Sequence, residues 1–128
     1  MKPASHAAAA LLGLAFITFG TNFFFPFLPA QEAPPPGTPP ALFMGALYPS
    51  GYLGFVKALE ILGGLLTAIP CTRSLGLLVL GPIIVNILCF HSFLTGGAGL
   101  FSPPVVAIAA LAAFVLFTER KRFAALVA

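Results

Sequence analysis

The sequence predicts an all-α membrane protein, a bundle of four transmembrane helices with both termini on the cytoplasmic side. Hydrophobic residues make up 59% of the 128-residue chain and charged residues 7%, and mean hydropathy is +1.07. So little polar surface cannot cover a water-soluble globule of this size, so the solvent has to be lipid. The apolar residues gather in four runs, each close to the roughly 20 residues that cross a hydrocarbon core of about 30 Å. Basic residues stand at the edges of those runs, where topology signals belong. The whole chain, 1–128, reads as a single membrane domain.

The first run, about 7–28, follows Lys2 and is interrupted only by Thr18, Thr21, Asn22 and Pro26. A cleaved signal peptide is its rival reading, but the stretch exceeds an ordinary h-region and Leu28, before Pro29-Ala30, is not small. From 29 to 50 the composition changes. Gln31 to Pro40 is too rich in proline for a helix, since proline lacks the amide and fixes φ, and an extended outer loop is expected. Within that loop Ala41 to Tyr48 can form a short interfacial helix, with Phe43, Met44 and Tyr48 resting on the membrane surface. The second span, 51–69, stops at Pro70. Cys71-Thr72-Arg73-Ser74 then leaves room only for a tight turn, which makes the second and third spans antiparallel neighbours. The third span, 75–94, ends at Thr95-Gly96-Gly97-Ala98-Gly99. The fourth, 101–118, carries Pro103 and Pro104 where a first helical turn tolerates them.

Lys2, Arg73 and the cluster Arg120, Lys121, Arg122 all fall on one side of this four-span arrangement, and the loops of the other side contain no Lys or Arg. That is the positive-inside pattern, so both termini and the Cys71 to Ser74 turn are expected in the cytoplasm and the protein in a bacterial inner membrane. The formal charge of +3 is accounted for by these edge residues, and a nucleic-acid surface is not implied. Gly13, Gly20, Gly63, Gly64, Gly76 and Gly81 offer surfaces for close helix approach.

Polar side chains inside the runs are few, and they are the informative positions. Asn22 lies in the first span, Lys57 and Glu60 in the second, Asn86, Cys89 and His91 in the third. An ionisable group at membrane depth costs about 2.5–3.5 kcal/mol on insertion scales, so it faces the bundle interior and finds a partner. At 1.5 Å per residue Lys57 lies about 9 Å and Glu60 about 13 Å from the outer end of its span. The antiparallel third span brings Asn86 and His91 to similar depths, and Asn22 joins them in the outer half. Asn86 and His91 diverge by about 140° on a regular helix, so both line one cavity only if neighbours flank the helix on each side or Pro82 bends it. Two readings of the Lys57 and Glu60 pair stay open: an ion pair that holds helices together, and a ligand or proton site. A lone intramembrane His falls short of a metal's ligand count, and Cys71 and Cys89 are too far apart along the bundle to bridge. Phe23, Phe24, Phe25 and Phe27 form an apolar wall beside the polar residues, or face lipid.

Three stretches in order, Phe19-Gly20-Thr21-Asn22-Phe23-Phe24-Phe25-Pro26-Phe27, Val56-Lys57-Ala58-Leu59-Glu60-Ile61-Leu62-Gly63-Gly64, and Pro82-Ile83-Ile84-Val85-Asn86-Ile87-Leu88-Cys89-Phe90-His91, resemble the DoxX-like family of small bacterial membrane proteins. The resemblance implies a four-helix membrane bundle and a link to respiratory or redox chemistry, and it marks Asn22, Lys57, Glu60, Asn86 and His91. On this reading the chain is a redox-associated subunit that binds a quinone or another amphipathic molecule, with His91, Lys57 and Asn86 donating hydrogen bonds to it. The lipid bilayer, a membrane or periplasmic redox partner, and a second copy of the chain are the partners to expect. The alternatives are a non-catalytic accessory or assembly subunit, and a small proton-coupled transporter working through Glu60.

Overall fold

The computed structural model describes residues 3–30 and 32–127; Lys2 of the orientation argument and Gln31 of the proline-rich loop lie outside them. Among the described residues the protein is entirely helical: α1 Pro3–Phe24, α2 Pro39–Ser50, α3 Tyr52–Ala68, α4 Arg73–Cys89, α5 Pro103–Thr118 and α6 Arg120–Ala124.

Several boundaries differ from the sequence expectation, each for a local reason. α1 ends at Phe24 rather than Leu28 because the Asn22 Oδ1 accepts the amides of Phe27 at 2.8 Å and Leu28 at 2.9 Å, curling the chain around Pro26. α2 takes in Pro39 and Pro40, expected in the loop, because a helix's first-turn amides have no intrahelical partner and proline gives up nothing there. It runs on through Pro49, to a bend of 83° between α2 and α3. Gly51 makes that bend at φ +84°, a left-handed conformation that residues with a Cβ rarely adopt. α3 closes at Ile69, whose extended backbone (ψ 121°) is what a residue before proline prefers. A single 3₁₀ turn, Pro70–Thr72, follows, with the Thr72 hydroxyl donating to Leu66 O at 2.8 Å, and α4 starts at Arg73, earlier than expected. Past Cys89, α4 widens into a π-helical turn, Phe90–Leu94.

The long helices pack in a closed ring. α1 contacts α3 and α5, and α4 contacts the same two from the other side, while α2 lies against α3. Small residues set the spacing. A Cβ on Gly13 would collide with Gly64 O and one on Gly64 with Gly13 O, so α1 and α3 touch backbone to backbone. Gly63, on the adjacent face of α3, receives Leu80 of α4, and Gly76 of α4 receives Thr67. Gly20 abuts Ile61, whereas Gly81, expected among these surfaces, has open space where its side chain would be.

These contacts concentrate at one end of the bundle, the end with the α3–α4 turn. There Ala8, Ala9, Leu12 and Phe16 of α1 meet Leu77, Leu80 and Ile84 of α4 and Val115 of α5, with Phe123 beside them. The opposite end, where the proline-rich loop and the 95–102 loop lie, is more open. Outward faces are largely apolar, with Leu11, Leu14, Phe55, Leu75, Val85 and Phe117 exposed, which suits contact with lipid. Two helical stretches, Pro3–Phe24 and Pro70–Leu94, are long and apolar enough to cross a membrane, and the bent pair α2 and α3 makes a third if it counts as one span. The chain is thus compatible with a membrane protein of two to three such helices; α5 is a shorter apolar helix.

Candidate functional site

α3 carries its buried residues on one stripe, Leu53, Glu60, Gly63, Gly64 and Thr67. Glu60 therefore points inward as surely as the glycines that bring α3 against its neighbours. Its side chain is 5% exposed, and Lys57, one turn earlier, is 25% exposed with Nζ 3.3 Å from Glu60 Oε2 and 3.5 Å from Oε1. Among the described residues neither side chain bonds any other group. The pair closes within one helix and clamps no second helix to it.

Above this pair the bundle opens into two cavities. The first, of about 630 Å³, is walled by Phe16, Phe19, Phe23, Leu53 and Ile108 and reached by Asn22. The second, of about 450 Å³, lies between α2, α3 and α4, with Phe43, Asn86, Phe90 and His91 on its walls and Glu32 of the loop over it. Met44, Leu53, Lys57, Glu60 and Ile87 line both. The ion pair therefore sits in a shared wall.

The five residues singled out by sequence do not share one chamber. Asn22 lines the first cavity and its Oδ1 is already taken by two backbone amides. Asn86 and His91 line the second. His91 stands at the start of the π turn, in which Thr95 N–H bonds Phe90 O at 3.2 Å, and lines the same cavity as Asn86. The Asn86 side chain is exposed and makes no hydrogen bond among the described residues. Of the expected phenylalanine wall, Phe23 faces the first cavity, while Phe24, Phe25 and Phe27 are exposed. Phe16, on the buried stripe of α1, and Phe19, which is exposed beside it, complete the wall and were not part of that expectation.

A second polar group, at the turn end, was legible only as a topology signal. Arg73 is 1% exposed; its Nε donates to Thr67 O at 2.9 Å and its Nη2 to Ala68 O at 3.3 Å, capping the last carbonyls of α3. Glu119, 2% exposed, accepts from Ser74 Oγ at 3.4 Å and pairs with Arg122 Nε at 3.4 Å. Nothing in the local pattern around Glu119 announces burial, which comes from the end of α5 meeting the start of α4. Cys71 and Cys89 are free and exposed.

No family model, curated protein or solved structure matches the chain, so the function has to be argued from this geometry.

Proposed function

We propose that the chain is an inner-membrane protein with four spans and cytoplasmic termini, which holds an amphipathic small molecule such as a quinone above the Lys57 and Glu60 pair. The observation that carries the reading is the pairing of tight packing at the turn end with two adjoining, largely apolar cavities over a buried ion pair at the other. Ligand sites are apolar clefts with a few convergent polar groups, and donors lacking protein partners belong on their walls. The closed ring of α1, α3, α4 and α5 supports four spans. α3 and α5, with 17 and 16 residues, reach about 25 Å, a shortfall that local bilayer thinning absorbs. Arg73, Arg120, Lys121 and Arg122 stand at the turn end, and the loops at the other end carry no Lys or Arg, which supports a cytoplasmic turn end.

The resemblance to DoxX-like proteins belongs to the same proposal and supplies its redox association. The assembly reading asked the polar residues to glue helices, and the Lys57 and Glu60 pair bonds within α3 alone. Proton-coupled transport calls for matching breaks in two halves of the chain, and α5 is continuous.

The test is native mass spectrometry of the full chain released gently from detergent. The reading expects one co-purified amphiphile per chain, with less of it on His91→Ala at an unchanged melting temperature, because the backbone bond from Gly97 N–H to the carbonyl of residue 91, 2.8 Å, still holds the loop. Protein that carries only loosely held bulk lipid, equally in both forms, would overturn it.

A further inference from the structure

His91 is held by the loop that follows it. Its carbonyl accepts Gly97 N–H at 2.8 Å and the Thr95 hydroxyl at 2.7 Å, and its ring Nδ1 lies 3.3 Å from Ala98 O. Gly99, at φ +78°, lets the backbone pass so close that a Cβ there would sit 3.1 Å from Nδ1 and 3.3 Å from Cε1. The Phe90 ring meets the imidazole edge-on with centroids 5.3 Å apart. One edge of the ring is thereby occupied by the loop.

A carbonyl oxygen has no proton to give, so the hydrogen in the contact with Ala98 belongs to Nδ1. A neutral imidazole carries one N–H, and the bond made by one nitrogen fixes the role of the other. In the neutral ring Nε2 then holds a lone pair, and it makes no bond among the described residues. Resting on the ligand site proposed above, we infer that His91 offers the second cavity an acceptor. Its ligand is an amphiphile whose head bears a hydroxyl donor at that point, a hydroquinone or phenol rather than a quinone carbonyl. Lys57 and Asn86, on the same cavity, supply donors for an oxygen elsewhere on the head group. This reverses the donor role that the sequence suggested for His91.

The experiment uses the detergent-purified full chain under anaerobic conditions, titrated with a decyl-substituted benzoquinone and with its hydroquinone and read by melting-temperature shift. The two probes share ring and tail and differ in hydroxyl against carbonyl. A site built around a hydrogen bond rejects the analogue that lacks the matching group, so the hydroquinone should bind about tenfold more tightly, and His91→Ala should erase that preference. In parallel, ring ¹⁵N resonances, assigned with His6→Gln, should show a neutral His91 protonated at Nδ1. Equal binding, a preference for the quinone, a hydroquinone preference that survives His91→Ala, or a ring carrying its proton on Nε2 would each overturn the inference while leaving the binding site standing. Failure of both probes to bind would overturn the inference together with the site on which it rests.

Discussion

Gly13 of α1 and Gly64 of α3 meet backbone to backbone, each leaving no room for a Cβ against the other's carbonyl oxygen. This contact holds α1 against α3 on the turn side of Glu60, and Gly20, beside Ile61 and the Lys57 carbonyl, keeps the two helices close at the level of the ion pair. Replacing Gly64 with Ala forces them apart, an overpacking cost of about 1–3 kcal/mol, and should lower the melting temperature in detergent. Gly81→Ala, with nothing near the added methyl, is the control and should leave it unchanged or raise it. Equal losses at both sites would mean that the approach of α1 and α3 does not set the packing.

The ion pair should respond unequally to the removal of its partners. Lys57→Met strands a carboxylate that is 5% exposed, and breaking a buried pair in this way costs about 3 kcal/mol. Glu60→Gln leaves a Lys57 able to turn into either cavity, and the amide still hydrogen-bonds. Melting temperatures should therefore fall further for Lys57→Met. The reverse order would show that Lys57, not Glu60, depends on the pair.

Asn22 should prove structural. Asn22→Ala removes two acceptor contacts to the Phe27 and Leu28 amides, worth about 0.5–1.5 kcal/mol each. Hydrogen exchange at those two amides should accelerate, while Asn22→Asp, which keeps the acceptor, should preserve their protection. Unchanged exchange in Asn22→Ala would mean that the turn holds without the side chain.

Orientation is checked by reporters. One fused after Ala128 should read as cytoplasmic and one inserted within Pro34-Pro35-Pro36 as periplasmic, because the basic residues flank the turn end. Both on the same side would remove the four-span arrangement.

The helices were legible because apolar runs and prolines are local signals. The prolines opening α5 fall where the sequence placed them, and the turn after α3 is tight as expected but shorter, at 70–72, because Arg73 and Ser74 join α4. What was not legible depends on contacts between distant residues. The end of α1 is set by a side chain reaching five and six residues ahead, and the burial of Glu119 by a helix 45 positions earlier in the chain. That the polar residues gather towards one end was legible, but not how they divide between two cavities. Depth along a span can be counted from sequence; the side of α3 on which each neighbour opens a cavity cannot, and Met44 and Leu53, which line both cavities, carry no polar mark to single them out.

The central claim is that the ligand lies over Lys57 and Glu60, and photolabelling tests it most directly. A decyl hydroquinone bearing a diazirine on its tail, irradiated with the detergent-purified chain, should label Phe23, Met44, Leu53 or Ile87 and be displaced by excess unlabelled hydroquinone. Label confined to outward residues such as Leu75, Val85 and Phe117, and undiminished by competitor, would contradict the account.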